Sequence, residues 1–166
     1  MCGIAVIFNY GTNDPVSEQE LIRIRDRMVA RGPDGEGVWI SKDGRVGLAH
    51  RRLSIIDLSE GGAQPMRSED GSAVIVFNGE IFNFRELAAV LRSEGHSFRS
   101  TSDTEVLLKL WEVHGEDMVD LLRGMYAFAI WDERRQGLFI ARDPFGIKPL
   151  YVADNGKTLR VASQVK

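Results

Sequence analysis

A cysteine stands directly behind the initiator methionine in MCGIAVIFNYG, and it is the only cysteine of the chain. A side chain this small at the second position lets an aminopeptidase remove Met1, which leaves Cys2 with both a thiol and a free α-amine. Such an amine titrates near pH ~8, close enough to neutrality to take a thiol proton during attack, so one residue supplies nucleophile and base. The arrangement parallels the variant of nucleophilic catalysis in which an N-terminal amine activates threonine. A lone cysteine is otherwise a small buried hydrophobe. Its place at the start of an apolar strand, where it is held rigidly, favours chemistry.

Acyl transfer also needs donors for an oxyanion. FNGEIFN (77–83) offers an amide side chain, Asn78, beside Gly79, whose backbone N–H is unobstructed, at the end of an apolar strand. Asn-Gly is by itself a hairpin-turn signal, yet the following IFNFRELAAVL reads as helix, not as a returning strand. AHRRLSIIDL (49–58) puts Arg51 and Arg52 at a strand end, where alternation sends one inward and the other to solvent. A buried arginine is a ready partner for a carboxylate; alternation does not say which of the two it is. In SDTE (102–105), Ser102 and Glu105 read as a capping box, which leaves the Asp103 carboxylate free at the first helical position to meet a substrate cation. His50, His96 and His114 show no metal-ligand spacing and read as structural. No P-loop and no Gly-rich dinucleotide fingerprint occurs, so neither a cofactor nor a metal is expected.

These residues must be positioned by the elements around them. Gly3 to Phe8 reads as a buried strand. Ser17 with Glu20 opens an amphipathic helix over Leu21, Ile24 and Met28, and RGPDGEG (31–37) stops it. Val38 to Ile40 and Val46 to His50 flank the turn signal SKDG, and AVIVFN (73–78) follows a second one, SEDG. Asn83 with Glu86 is expected to cap a helix through Leu87, Val90 and Leu91 that stops at Gly95; Ser102 opens another through Val106, Leu107, Leu110 and Trp111. MYAFAIWD (125–132), GLFIARD (137–143), PLYVA and TLRVA then read as antiparallel strands, with GGAQPM (61–66) and DPFGIKP (143–149) as shaped loops. Strands, then helices, then strands predict an α+β layered domain.

At 166 residues and 43% hydrophobic, the chain suits one compact domain spanning 1–166. Twenty-one Lys and Arg against 24 Asp and Glu give −3 without a basic block, which speaks against a nucleic-acid footprint. The apolar run Ile4 to Phe8 is too short for a membrane span or a signal sequence, and a lone thiol suits a reducing cytoplasm, so a cytoplasmic protein with no membrane partner is expected.

MCGI, ARGPDGEG, AHRRLSIIDLS, GAQPM, NGEIFN, SDTE, GMYAFAIWD and ARDPFGIKPLY occur in that order over nearly the whole chain. In this the sequence resembles the glutaminase domain of class II, N-terminal-nucleophile glutamine amidotransferases, and most nearly that of the glutamine-hydrolysing asparagine synthetases. The resemblance implies a four-layer αββα sandwich of two antiparallel sheets between helices. It implies that Cys2 attacks the side-chain amide of L-glutamine to form a thioester while Asn78 and Gly79 hold the oxyanion. By the same resemblance Arg52 pairs with the α-carboxylate, Leu53, Ser54, Ile55 and Ile56 line that end of the pocket, and Glu80 with Asp103 takes the α-ammonium. The ammonia would pass to a synthetase domain or subunit. Two departures stand out: SQVK (163–166) replaces a commoner SEIK-like stretch, and a synthetase domain with its ATP loop is absent. Two rival readings are a catalytically silent scaffold of the same fold and an abasic-site DNA-crosslinking domain that also exposes a processed Cys2. The charge balance and the RGPDG and NGE motifs oppose the second.

Overall fold

The structure, a computed structural model, describes residues 1–165; Lys166, the end of the SQVK stretch, lies outside the described residues. In chain order the elements are β1 (Gly3–Asn9), α1 (Glu18–Asp26), β2 (Gly35–Ile40), β3 (Val46–Arg52), β4 (Met66–Arg67), β5 (Ala73–Ile81), α2 (Phe84–Ser93), α3 (Asp103–His114), β6 (Gly124–Asp132), β7 (Gly137–Arg142), β8 (Tyr151–Asp154) and β9 (Thr158–Ala162). Short 3-10 segments cover Glu60–Gly62 and Gly115–Leu121. No helix among the described residues is long and apolar enough to cross a membrane.

The unbroken apolar run of β1 has a direct cause. It lies in the middle of a five-stranded antiparallel sheet ordered β2-β3-β1-β9-β8, which pairs both of its edges, and a second sheet and α1 cover its two faces. Ile4 and Val6 point inward with Val46, Leu48 and Val161, and there they meet Val74, Val76, Ala129 and Trp131 of a second sheet ordered β4-β5-β6-β7. Ala5 and Ile7 point the other way, with Ala49, under Leu21 of α1 and the neighbouring Val16 and Met28. On the far side Ile75, Phe77, Phe128 and Ile130 pack beneath Leu91 of α2 and Leu107, Leu110 and Trp111 of α3. Helix, sheet, sheet, helix is the expected four-layer sandwich, and each apolar stripe has one layer to bury itself against.

Several local expectations change. Asn78-Gly79 is neither a turn nor a strand end, because β5 runs on through both to Ile81. Asn83 precedes α2 without capping it; its side chain instead accepts from Arg123 N–H at 2.9 Å and donates to the Leu121 carbonyl at 2.9 Å, tying the helix start to the approach of β6. Ser17 does accept from Glu20 N–H at 3.2 Å, but the Glu20 carboxylate reaches across to Arg160 at 2.8 Å and so does not close a capping box. Likewise Glu105 accepts from the N–H groups of Arg99 and Ser100, at 2.8 and 2.7 Å, and not from Ser102. In both cases a partner outside the helix takes the carboxylate, from the far end of the chain for Glu20 and from the loop just before the helix for Glu105. Within the GGAQPM stretch, Met66 begins the short strand β4, which pairs only with Val74 and Ile75.

Candidate active site

The start of β1 and the end of β3 meet, Gly3 opposite Arg51, which brings Cys2 beside Arg52 and the loop that follows it. There the Cys2 thiol donates to the Leu53 carbonyl at 3.6 Å, and Leu53 N–H donates back to Sγ at 3.4 Å. The Cys2 carbonyl accepts from Arg31 Nε at 3.0 Å. Burial pushes the Cys2 thiol above its usual range, against the pull of the Leu53 N–H, the terminal amine of Met1 and Arg52. At neutral pH the sulfur therefore keeps its proton and needs a base to become a nucleophile.

The second sheet supplies the opposite wall through an unpaired edge. Because β4 stops at the level of Ile75, the rest of β5 has no strand on that side. Tyr126, opposite Gly79, turns its backbone away from β5: its carbonyl accepts from Asp143 N–H at 2.8 Å and its N–H donates to the Asp143 carboxylate at 3.3 Å. Gly79 and Tyr126 are thus a non-hydrogen-bonded pair, and Phe77, Gly79 and Ile81 all direct their backbone groups to the open edge. Phe77 N–H donates to Gln64 Oε1 at 2.7 Å and Ile81 N–H to Asp103 Oδ2 at 3.1 Å. Gly79, between them, is left with its N–H toward the pocket. A Cβ at Gly79 would collide with the Met125 carbonyl oxygen and lie 2.8 Å from Tyr126 Cα, so only glycine lets the strands come this close. Asn78 shares its strand face with Val74 and Val76 and points between the sheets; it is 1% exposed, and its Nδ2 has no hydrogen-bond partner among the described residues. A buried donor left unpaired costs roughly 1–3 kcal/mol, so an acceptor that enters the cavity would find this one ready to bind.

The structure separates the two arginines. Arg51 lies under α1, 12% exposed, and is neutralised by Asp26 at 2.7 Å and Glu36 at 2.6 Å. Arg52 lines the pocket, donates to the carbonyls of Ser59, at 2.8 Å, and of Asp57, and forms no ion pair among the described residues. That loop is itself anchored by the Asp57 carboxylate. Bonds from Ser59 and Thr101 hold its pKa down to about 2, so the anchor stays charged over the whole working range.

Cys2, Arg52, Leu53, Ile55, Ile56, Asn78, Gly79, Glu80 and Asp103 all line one cavity, together with Met1. Ser54 does not; its N–H donates to the Asp34 carboxylate at 2.9 Å, outside the wall. Sequence reasoning missed Gln64, Thr104 and Lys148, which also line it, because they sit in loops or at a helix start, where no periodicity marks a side chain as inward-facing. Asp103 is less free than expected, since one carboxylate oxygen already takes Ile81 N–H. Burial, with the neighbouring Glu80 charge, raises its pKa to about 6.

A carboxyl shifted upward on folding binds its proton more tightly in the folded chain, so it weakens the fold once pH rises above the unfolded value. From 3.8 to about 6, at ~1.4 kcal/mol per pH unit, the weakening amounts to about 3 kcal/mol above pH 6 and vanishes below pH 4. Asp103→Asn is therefore expected to raise the thermal midpoint at pH 8 and leave it unchanged at pH 4. Melting curves of both proteins at the two pH values check this, and a midpoint lowered at pH 8 contradicts it.

The glutamine amidotransferase domain model matches residues 1–166. The chain belongs to the glutamine amidotransferase domain family. Within that family, this glutamine amidotransferase domain is 44% identical to asparagine synthetase (glutamine-hydrolyzing) 1 of Bacillus subtilis over 168 residues, which is all of this chain and 26% of that protein. It is 39% identical to amidase chry2 of Gibberella zeae over 175 residues, again all of this chain and 26% of that one. The domain thus spans about a quarter of the length of these relatives. In fold it is similar to the glutamine phosphoribosylpyrophosphate amidotransferase of B. subtilis, with a TM-score of 0.78 at 23% identity over 97% of this chain and 41% of that one. The resemblance seen in the ordered motifs, and the sandwich it implied, both hold.

Proposed function

We propose that the domain hydrolyses the side-chain amide of L-glutamine to glutamate and ammonia. The observation that carries this reading is a pair of donors, Asn78 Nδ2, unpartnered among the described residues, and Gly79 N–H, facing the unpaired edge of its strand, on the wall of the cavity that holds the Cys2 thiol. Such donors serve an oxygen that gains charge only during reaction. Once Met1 is removed, the Cys2 α-amine takes the thiol proton as sulfur bonds to the amide carbon, and the amide oxygen becomes an oxyanion held by Asn78 and Gly79. Collapse expels ammonia, which leaves with the proton carried by the amine, and forms a thioester. Water then cleaves the carbon–sulfur bond, releases glutamate and returns the proton to sulfur. Arg52, unopposed by a carboxylate, is suited to the substrate α-carboxylate, with the loop from Leu53 to Ile56 beside it. Asp103 and Glu80 supply the negative charge for the α-ammonium.

An uncleaved Met1 makes the required amine an amide with no basicity. Active protein is expected to begin at Cys2, and an intact mass that retains Met1 in fully active protein contradicts the mechanism. The assay is glutamate release from glutamine by the purified chain. Because Asp103 charges near pH 6, KM for glutamine is expected to rise as pH falls through that value, while Asp103→Asn should have a high KM that no longer depends on pH there.

The ammonia acceptor lies outside these residues in this reading. The names of the relatives favour an acceptor site of the asparagine synthetase type on a further domain or subunit, and residues 1–166 as the glutaminase unit that supplies it.

A further inference from the structure

His50 takes no part in the chemistry proposed above, yet of the three histidines it alone is fully enclosed, at 0% exposure. It lies on the inner face of β3 in line with Val46 and Leu48, where an apolar side chain would meet Val74 and Val76 at no polar cost. Instead its Nε2 reaches across the layer to the Phe77 carbonyl of β5, at 3.0 Å. A carbonyl oxygen only accepts, so Nε2 carries the proton and Nδ1 is the bare nitrogen; Nδ1 has no partner. Burial pushes the imidazole pKa down to about 4, and the ring is neutral at pH 7.

The bonded carbonyl is in a special place. Phe77 is the first residue of β5 beyond the reach of β4 whose backbone faces the open edge, and both of its outward groups are held by side chains: the carbonyl by His50, the N–H by Gln64 at 2.7 Å. Gln64 in turn donates to Thr104 Oγ1 at 3.2 Å, at the start of α3. The next two residues along the strand are Asn78 and Gly79. On the β6 side the peptide that precedes the two donors is held by the Asn78–Ala127 pair, while on the open side its carbonyl has His50 as its one hydrogen-bond partner among the described residues.

We propose that His50 is a positioning residue: by holding the Phe77 carbonyl from the opposite sheet, it sets the direction of Asn78 Nδ2 and Gly79 N–H. The inference rests on the glutaminase reading. A displaced donor costs most where charge develops, so the loss should fall on kcat and spare KM.

Glutamine is the informative replacement because its terminal amide can reach where the imidazole Nε2 sits, whereas asparagine reaches only as far as Nδ1. His50→Leu and His50→Asn are expected to lower kcat by roughly tenfold or more with KM within about twofold, and His50→Gln to recover at least about half of the wild-type kcat. Near-ultraviolet circular dichroism and a cooperative melt confirm that each variant is folded; if His50→Leu does not fold, the Asn and Gln pair decides. A His50→Leu kcat close to wild type, equal losses in the Asn and Gln variants, or a change confined to KM overturns the proposal. A wild-type chain that releases no glutamate overturns the glutaminase reading, and this inference with it.

Discussion

Cys2→Ala is expected to abolish glutamine hydrolysis and leave the fold intact. The sulfur's recorded bonds are two long ones to the Leu53 peptide, at 3.4 and 3.6 Å, and neither joins the layers of the sandwich. Its loss removes the sulfur proposed to form the acyl intermediate while every apolar layer stays in place. The melting transition should therefore remain cooperative and shift by only a few degrees, as for the loss of roughly 1 kcal/mol in a domain of this size. A glutamine-like diazoketone should label wild-type protein once, on sulfur, because the chain holds no second cysteine. Residual turnover near the wild-type rate in the variant, or label on any other residue, removes Cys2 from its role.

The second large effect is expected at Asn78. With its Nδ2 unpartnered in the resting protein, Asn78→Ala breaks no bond made by that donor and relieves a buried orphan. The melt should move little, since the relief offsets the small void left behind. Catalysis should suffer heavily: a donor to the oxyanion is worth roughly 10² to 10³ in kcat, about 2.7–4 kcal/mol, with KM nearly unchanged. Steady-state kinetics that place the loss on KM instead would make Asn78 a substrate-binding residue. Full activity would leave its unpartnered amide without a purpose.

Much of this was legible in the sequence because hydrophobic period and burial share a cause. Strands such as Gly3 to Phe8 and Met125 to Asp132 are apolar on both faces because each sheet is covered on both faces, and their extents were read nearly to the residue. The Asn78-Gly79 pair was separated from a hairpin turn by the helical pattern after it, although the strand proved to run through the pair to Ile81. What failed was local reasoning about polar side chains. Asn83, Glu20 and Glu105 each sit where a helix cap is expected, and each spends hydrogen bonds beyond its own cap, on Arg123 N–H, Arg160 and Arg99 N–H. Short-range propensity is a weak prior once a long-range partner exists. The choice between Arg51 and Arg52 was beyond any pattern, since it depends on Asp26 and Glu36 reaching one and not the other. Gln64 and Lys148 were hidden for another reason: both lie in irregular segments, whose inward residues only the folded chain defines.

The central place of β1 also has a consequence in time. One edge of the strand pairs with β3, some forty residues on, but the other waits for β9, Thr158–Ala162. During synthesis the first strand therefore stays half-paired until nearly the whole domain has left the ribosome, and contacts this distant in sequence form slowly. The sheet that carries Cys2 at its margin is thus completed only when its last-made strands arrive.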